Sequence, residues 1–198
     1  MIFKDITTDK QTTYRLGAGE KCIFFMFNRS GEVVFDLVGI GSEAHIFSFF
    51  IGKGVDKNSL HIKQNHLSPK TISHTLIKSI AFEKATCMYE GTIFIDTNAP
   101  QSDASQESPA LLLSPDAVIS MKPSLEILAD DVKCHHRATA SPLNAEALFF
   151  AKTRGLSHSQ AKNLLISGFW NDTLETMNAL GVDENGIKNI RKKIAIDN

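Results

Sequence analysis

The chain has 198 residues, 42% of them apolar and 22% charged, which excludes an intrinsically disordered protein and allows roughly 70% of the unfolded surface to be buried. Twenty-one Lys and Arg against 22 Asp and Glu leave a formal charge of −1. A general nucleic-acid binder carries a surplus of cations to displace counterions, so nucleic acid is not an expected partner.

At the N-terminus Lys4 and Asp5 interrupt the apolar residues before a signal-peptide core could form. From there to about residue 140 the chain breaks into short apolar runs, many β-branched or aromatic. They are Cys22 to Phe27, Val33 to Val38, His45 to Ile51, Thr71 to Ile77, Thr92 to Ile95 and Leu111 to Leu113. Turn residues separate them, as in Asn28-Arg29-Ser30-Gly31, Gly52-Lys53-Gly54 and Ser114-Pro115-Asp116. Such punctuated runs predict an all-β body. No clean sequence period repeats, so a β-solenoid is compatible with the pattern and is not established by it. Gly39-Ile40-Gly41-Ser42-Glu43-Ala44 has the spacing of a dinucleotide fingerprint, but a strand-like run follows where that motif needs a helix, so a turn is expected.

The composition changes near Pro142. All six prolines lie between Pro69 and Pro142, and the tail has none. Asn144 is placed to cap a helix ending near Gly155, and Ser157 with Gln160 forms a capping box for the next. Ala161, Leu164, Leu165 and Gly168-Phe169 then fall on one predicted buried stripe. A third segment groups Leu174, Met177 and Leu180 and stops at Gly181. A fourth groups Ile187, Ile190 and Ile194, with Arg191, Lys192 and Lys193 near its C-terminus, where cations suit the helix dipole. The expected organisation is a β body over 1–141 and a helical module over 142–198.

No apolar stretch reaches the roughly 20 residues of a membrane span, so no membrane contact is expected. The three cysteines include no CxxC pair and make no disulfide framework. A reduced, cytoplasmic protein is the expectation. The chain lacks a G-x-x-x-x-G-K-[ST] string, so any ATP-driven step would fall to a partner.

The chemistry concentrates in Asp130-Asp131-Val132-Lys133-Cys134-His135-His136-Arg137. In an extended strand, alternation puts Asp130, Val132, Cys134 and His136 on one face, with Lys133, His135 and Arg137 on the other. Cys134 and His136 would then lie about 7 Å apart, close enough to converge on one metal or sulfur atom. Thiolate with imidazole suits iron, zinc or a nascent Fe–S unit better than magnesium or calcium. Two ligands do not complete a site. A small buried Cys beside a hydrogen-bonded His accounts for the same string without a ligand. Cys22 and Cys87 read as core thiols of strands.

The same segment carries a family resemblance. Lys122 to Cys134, followed by His136, Ala138 and Thr139, closely resembles the SufD branch of the SufB/SufD family, the scaffold subunits of the SUF iron–sulfur cluster assembly machine. The likeness continues through Leu148-Phe149-Phe150 and Arg154-Gly155-Leu156 to Ala161, Leu164-Leu165-Ile166 and Phe169. Upstream it includes His66, Pro69, Thr71, Ser73, Tyr89-Glu90-Gly91 and Asp103-Ala104-Ser105-Gln106, so it covers roughly residues 60 to 170.

The resemblance implies a mainly β protein, a right-handed parallel β-helix with a small C-terminal helical module. It implies a non-enzymatic role in which the β-helix pairs with a SufB-like chain or with itself as a homodimer. The C-terminal helices would dock a SufC-like ABC ATPase, and the apolar stripe of the tail makes Leu164, Leu165 and Phe169, with Trp170 as an aromatic anchor, the expected contacts. It assigns Cys134 and His136 to iron acquisition or a transient iron–sulfur cluster; His135, Arg137 and Asp130, beside them in the same segment, are secondary candidates by position alone. Three departures stand out. Larger members carry a helical domain before the β-helix, where this chain begins with strand-like sequence. Arg137 stands where SufD-like members usually have Gly, and a cation beside the thiol would favour thiolate or persulfide over ferrous ion. Glu107 and Ser108 occupy the region of the SufB-like cluster-assembly cysteine. Two alternatives remain at this point: a small metalloenzyme joining His66 or His74 to Cys134 and His136, and a family relic acting only through its helices.

Overall fold

The computed structural model describes residues 1–195. Eleven strands alternate between two sheets: β1 (Ile2–Asp5), β2 (Thr13–Leu16), β3 (Lys21–Phe27), β4 (Gly31–Leu37), β5 (Glu43–Gly52), β6 (Lys57–His66), β7 (Ile72–Ala81), β8 (Thr86–Ile95), β9 (Asp103–Leu112), β10 (Val118–Ile127) and β11 (Lys133–Ser141). Odd-numbered strands form one sheet in the order β1-β3-β5-β7-β9-β11, and even-numbered strands form the other in the order β10-β8-β6-β4-β2. Every pairing is parallel. A chain that visits two sheets in turn and pairs each strand with the one two before it winds as a parallel β-helix.

The coil length explains why no period showed in the sequence. Ile2 pairs with Cys22, 20 residues on, and Lys21 with Glu43, 22 residues on. Later coils lengthen: Glu43 pairs with Ile72 and Ile72 with Asp103, separations of 29 and 31. The drift removes any fixed repeat while the ladders stay in register. The Gly39–Ala44 string forms a turn leading into β5, with Gly41 at a φ of 67°.

The first coils are filled with Phe24, Met26, Phe35, Ile46, Phe50 and Ile62, all fully buried. On the outer face of the odd sheet, Ile23, Phe25, Phe47, Phe49 and Ile51 are buried as well. Burial on both faces is why β3 and β5 read as unbroken apolar runs rather than alternating ones. What covers that outer face is helical. Helix α1 (Ala145–Thr153) packs on α2 and buries only Ala151, whereas α2 (His158–Ala179) and α3 (Glu184–Ile194) lie on the sheet.

Two expectations for the tail change. The second and third segments are one 22-residue helix, capped by Ser157 and Gln160. Its buried face is Ala161, Ile166, Trp170, Thr173, Leu174 and Met177, rotated from the expected stripe, so Leu164 is exposed. The apolar sheet selects the face that carries the largest side chain, Trp170. The fourth segment buries Ile190 and Ile194 as expected. The tail's last residues, 196–198, lie outside the described residues.

Lys78 is buried where α2 meets β7. Its ammonium bonds the Phe169 carbonyl and, at 2.5 Å, Asp172 Oδ1, and lies 4.7 Å from the Phe169 ring centre. The two positions Ile77 and Lys78 are skipped in the β7–β9 ladder opposite Ser108 and Pro109. Proline has no N–H to donate there.

Candidate functional site

The two ends of the β-helix differ. At the first coil the edge strands β1 and β2 have four residues each. Arg29 closes that end from within, donating to the carbonyls of Ile6 and Gln11 at 2.6 Å each. At the last coil the edges β10 and β11 run for ten and nine residues. Val118, Leu125, Ile127 and Leu128 are exposed there. A long edge with exposed apolar residues and unpaired backbone groups invites another chain.

Cys134 and His136 lie on that edge. Their register partners on β9 are Ala104 and Gln106, both buried in the bore, so alternation aims Cys134 and His136 inward. Cys134 is half-buried against Ile93, Ile95, Ala99, Ala104 and Ala129. Burial, with Asp103 adding to it, pushes its thiol up to about 11. The thiol therefore keeps its proton at neutral pH and loses it only to a ligand that competes for sulfur.

Arg137 does not correct this. It pairs in register with Glu107 on the opposite, outward face, so it is not the cation beside the sulfur that the sequence suggested. Asp130 is exposed in the bend before β11 begins at Lys133, off the strand face assigned to it. His135 points outward into a row with Ser105, His74 and His45. In that row His74 Nδ1 lies 2.7 Å from Ser105 Oγ, and the His45 and His74 rings are 5.4 Å apart.

The alternative set for a metalloenzyme is not assembled. His74 faces outward. His66 is fully buried in the bore, with Nδ1 and Nε2 each 2.7 Å from a hydroxyl, of Thr71 and Ser73. Among the described residues no three His, Cys, Asp or Glu side chains come close enough to share a metal. A complete site around Cys134 and His136 therefore needs groups from outside this chain's described residues.

Sequence reasoning missed the polar lining of the bore. Gln64, His66, Ser73, Thr75, Ser102 and Gln106 are all buried inside the later coils, where the first coils hold aromatic rings. The signal was present in β6, where Leu60, Ile62, Gln64 and His66 share one face.

Of the helix residues, Leu164 is 56% exposed, Leu165 is half-buried and Phe169 packs partly into the helix–sheet core. Trp170 is 3% exposed, its indole against Phe49. It seals the sheet and offers no surface to a partner. The exposed aromatics are instead Phe149 and Phe150 of α1, at 69% and 60%.

Among known proteins, a family model described as "SUF system FeS cluster assembly, SufBD core domain" matches residues 28–169. The chain is 37% identical over 117 residues to the chloroplastic protein ABCI7 of Arabidopsis thaliana, covering 59% of this chain and 25% of that protein. It is 36% identical over 124 residues to an iron–sulfur cluster assembly SufBD family protein of Synechocystis, covering 63% and 27% respectively. It is 30% identical over 122 residues to the iron–sulfur cluster assembly protein SufD of Escherichia coli, covering 62% and 29%. The match thus takes in little more than a quarter of each relative's length. No described helix is long and apolar enough to cross a membrane.

Proposed function

The chain belongs to the SufBD family, and from that premise we propose that it acts as a SufD-like scaffold subunit in iron–sulfur cluster assembly rather than as an enzyme. The observation that carries this reading is the placement of Cys134 and His136. They share the inward face of an exposed edge strand at the open end of the β-helix. A second chain set against that edge, SufB-like or identical to the first, would cover the last coil. It would also add the ligands that Cys134 and His136 lack. A two-fold pair of identical chains brings two such sets toward one axis.

Iron, or a cluster in assembly, is the cargo of this site. A thiolate and an imidazole at the rim of a polar bore fit it by donor type. ATP hydrolysis falls to a SufC-like ATPase, and we assign its docking to the exposed aromatic face of α1 with Leu164 of α2. Exposed apolar side chains on a helix can enter a partner's groove, and aromatic anchors dominate such contacts.

Light scattering of the chain alone and mixed with a SufB-like chain tests the pairing. A mass of two chains is expected in one or both samples, reduced to single chains by Leu125→Lys at the open end. Single chains in both wild-type samples would overturn the reading.

A further inference from the structure

The two free edges at the open end are not equivalent. In a parallel ladder, successive residues turn their backbone groups to alternate sides. Val118 N–H donates to the Ala85 carbonyl and Leu128 N–H to that of Ile95, so the even-numbered residues of β10 bond to β8. The odd-numbered ones face the open edge, and Pro123 is among them, without an N–H to offer. In β11, Lys133 N–H donates to the Ser102 carbonyl. Its odd-numbered residues therefore bond to β9, and Cys134, His136, Ala138 and Ala140 turn their N–H and C=O groups to the open edge. Strand β10 is blunted by its proline, whereas β11 keeps an unbroken run of donors and acceptors.

The outer face of β11 carries Lys133, His135 and Arg137 at alternate positions, all exposed. Their register partners on β9 are Asp103, Ser105 and Glu107. Even so, among the described residues neither Lys133 nor Arg137 forms an ion pair. Both charges are left for a strand on the open side. A second copy, docked about a two-fold axis normal to the sheet, would present the same strand antiparallel. Registers that oppose even-numbered residues are the ones in which the free backbone groups bond. The register that brings the two metal-ligating sets together places Cys134 opposite His136 of the second copy, about 5.5 Å apart at Cα. On the outer face it also places Lys133 opposite Arg137 of the second copy, and His135 opposite His135. Like charges directly opposite one another are destabilising.

We propose that Lys133 and Arg137 select the partner: β11 accepts an edge strand of a different chain that carries carboxylates at alternate outward positions, and rejects a second copy of itself. The inference rests on the reading of the open end as a pairing surface. A carboxylate opposite each cation adds a cross-strand pair to the backbone ladder. The same two cations penalise the wrong partner, so one stripe supplies both the attraction and the repulsion that specificity needs.

Sedimentation equilibrium of the full chain at about 0.05 and 0.5 M NaCl tests this, across a range where exposed charges become screened. Circular dichroism establishes that each variant folds. Wild type alone is expected as single chains at low salt. Arg137→Glu sets a carboxylate opposite Lys133 of a second copy, so it should self-associate at least roughly tenfold more tightly than wild type, and Lys133→Glu should do the same. Mixed with the SufB-like chain, wild type should form a pair that weakens as salt rises. Arg137→Glu should bind that chain at least roughly tenfold more weakly. A wild-type homodimer as tight as that of Arg137→Glu overturns the proposal and leaves the pairing reading standing, as does a mixed pair indifferent to Arg137→Glu. Single chains in every sample, the mixture included, overturn the pairing reading and the proposal with it.

Discussion

Trp170 packs its indole on Phe49 with ring centres 4.8 Å apart and planes tilted by 39°. The contact joins the middle of α2 to a central strand of the odd sheet and puts the chain's only tryptophan in its interior. Trp170→Ala is expected to cost about 3–5 kcal/mol, the range for emptying a buried aromatic site. Urea unfolding measures it. A loss below about 1 kcal/mol would mean that the helices rest on the sheet without depending on this residue.

Docking of the ATPase should depend on α1 instead. Phe149→Asp with Phe150→Asp is expected to leave the unfolding midpoint within a few tenths of a molar of wild type, since both rings are exposed. The same pair should abolish co-purification with the SufC-like ATPase. Retention of the ATPase by this variant would place docking elsewhere.

Acid should destabilise the β-helix through its bore. His66 titrates near 4 in the folded chain and near 6.5 when unfolded, so between these values the unfolded state binds the extra proton. Stability is then fully present above about pH 6.5 and falls by about 3 kcal/mol as pH drops to 4, at about 1.4 kcal/mol per unit. His74, also depressed by burial, steepens the fall in the same direction. Unfolding midpoints at pH 7, 5.5 and 4.5 should therefore converge in His66→Gln. Equal pH slopes in wild type and variant would contradict the buried neutral imidazole.

The Cys134 thiol should alkylate slowly at neutral pH. With its pKa near 11, the rate with iodoacetamide should climb about tenfold per pH unit from 7 to 10, because only the thiolate reacts. Mass spectrometry of the modified cysteine follows it. A rate that levels off by about pH 9.5 would show an ordinary, water-exposed thiol, whose pKa is about 8.5.

The parts of this architecture that are readable in the sequence are those whose pattern has one cause. Strands β3, β4 and β5 announce themselves because their inward residues are large and apolar, and β3 and β5 are covered on both faces. Strand β6 does not, because Lys57, Ser59, His61, Lys63 and Asn65 face solvent while Gln64 and His66 line a polar bore. Strand β10 is masked by Pro123, tolerated there because β10 is an edge. The face of α2 was misread because Leu164 and Ile166 compete for burial on helical spacing alone. Only the tertiary position of Phe49 decides in favour of the face with Trp170. The i, i+2 relation of Cys134 and His136 was legible because it is set by strand geometry. The side on which Arg137 falls follows from the same rule.

The central claim concerns those two residues, and anaerobic Fe²⁺ titration of the assembled pair measures it most directly. Calorimetry of wild type, Cys134→Ser and His136→Ala, each assembled with itself or with the SufB-like chain, compares their affinities. Wild type should bind ferrous iron at a defined stoichiometry per pair, and each variant at least tenfold more weakly. Equal binding by wild type and both variants would contradict the assignment, as would no binding by the wild-type pair.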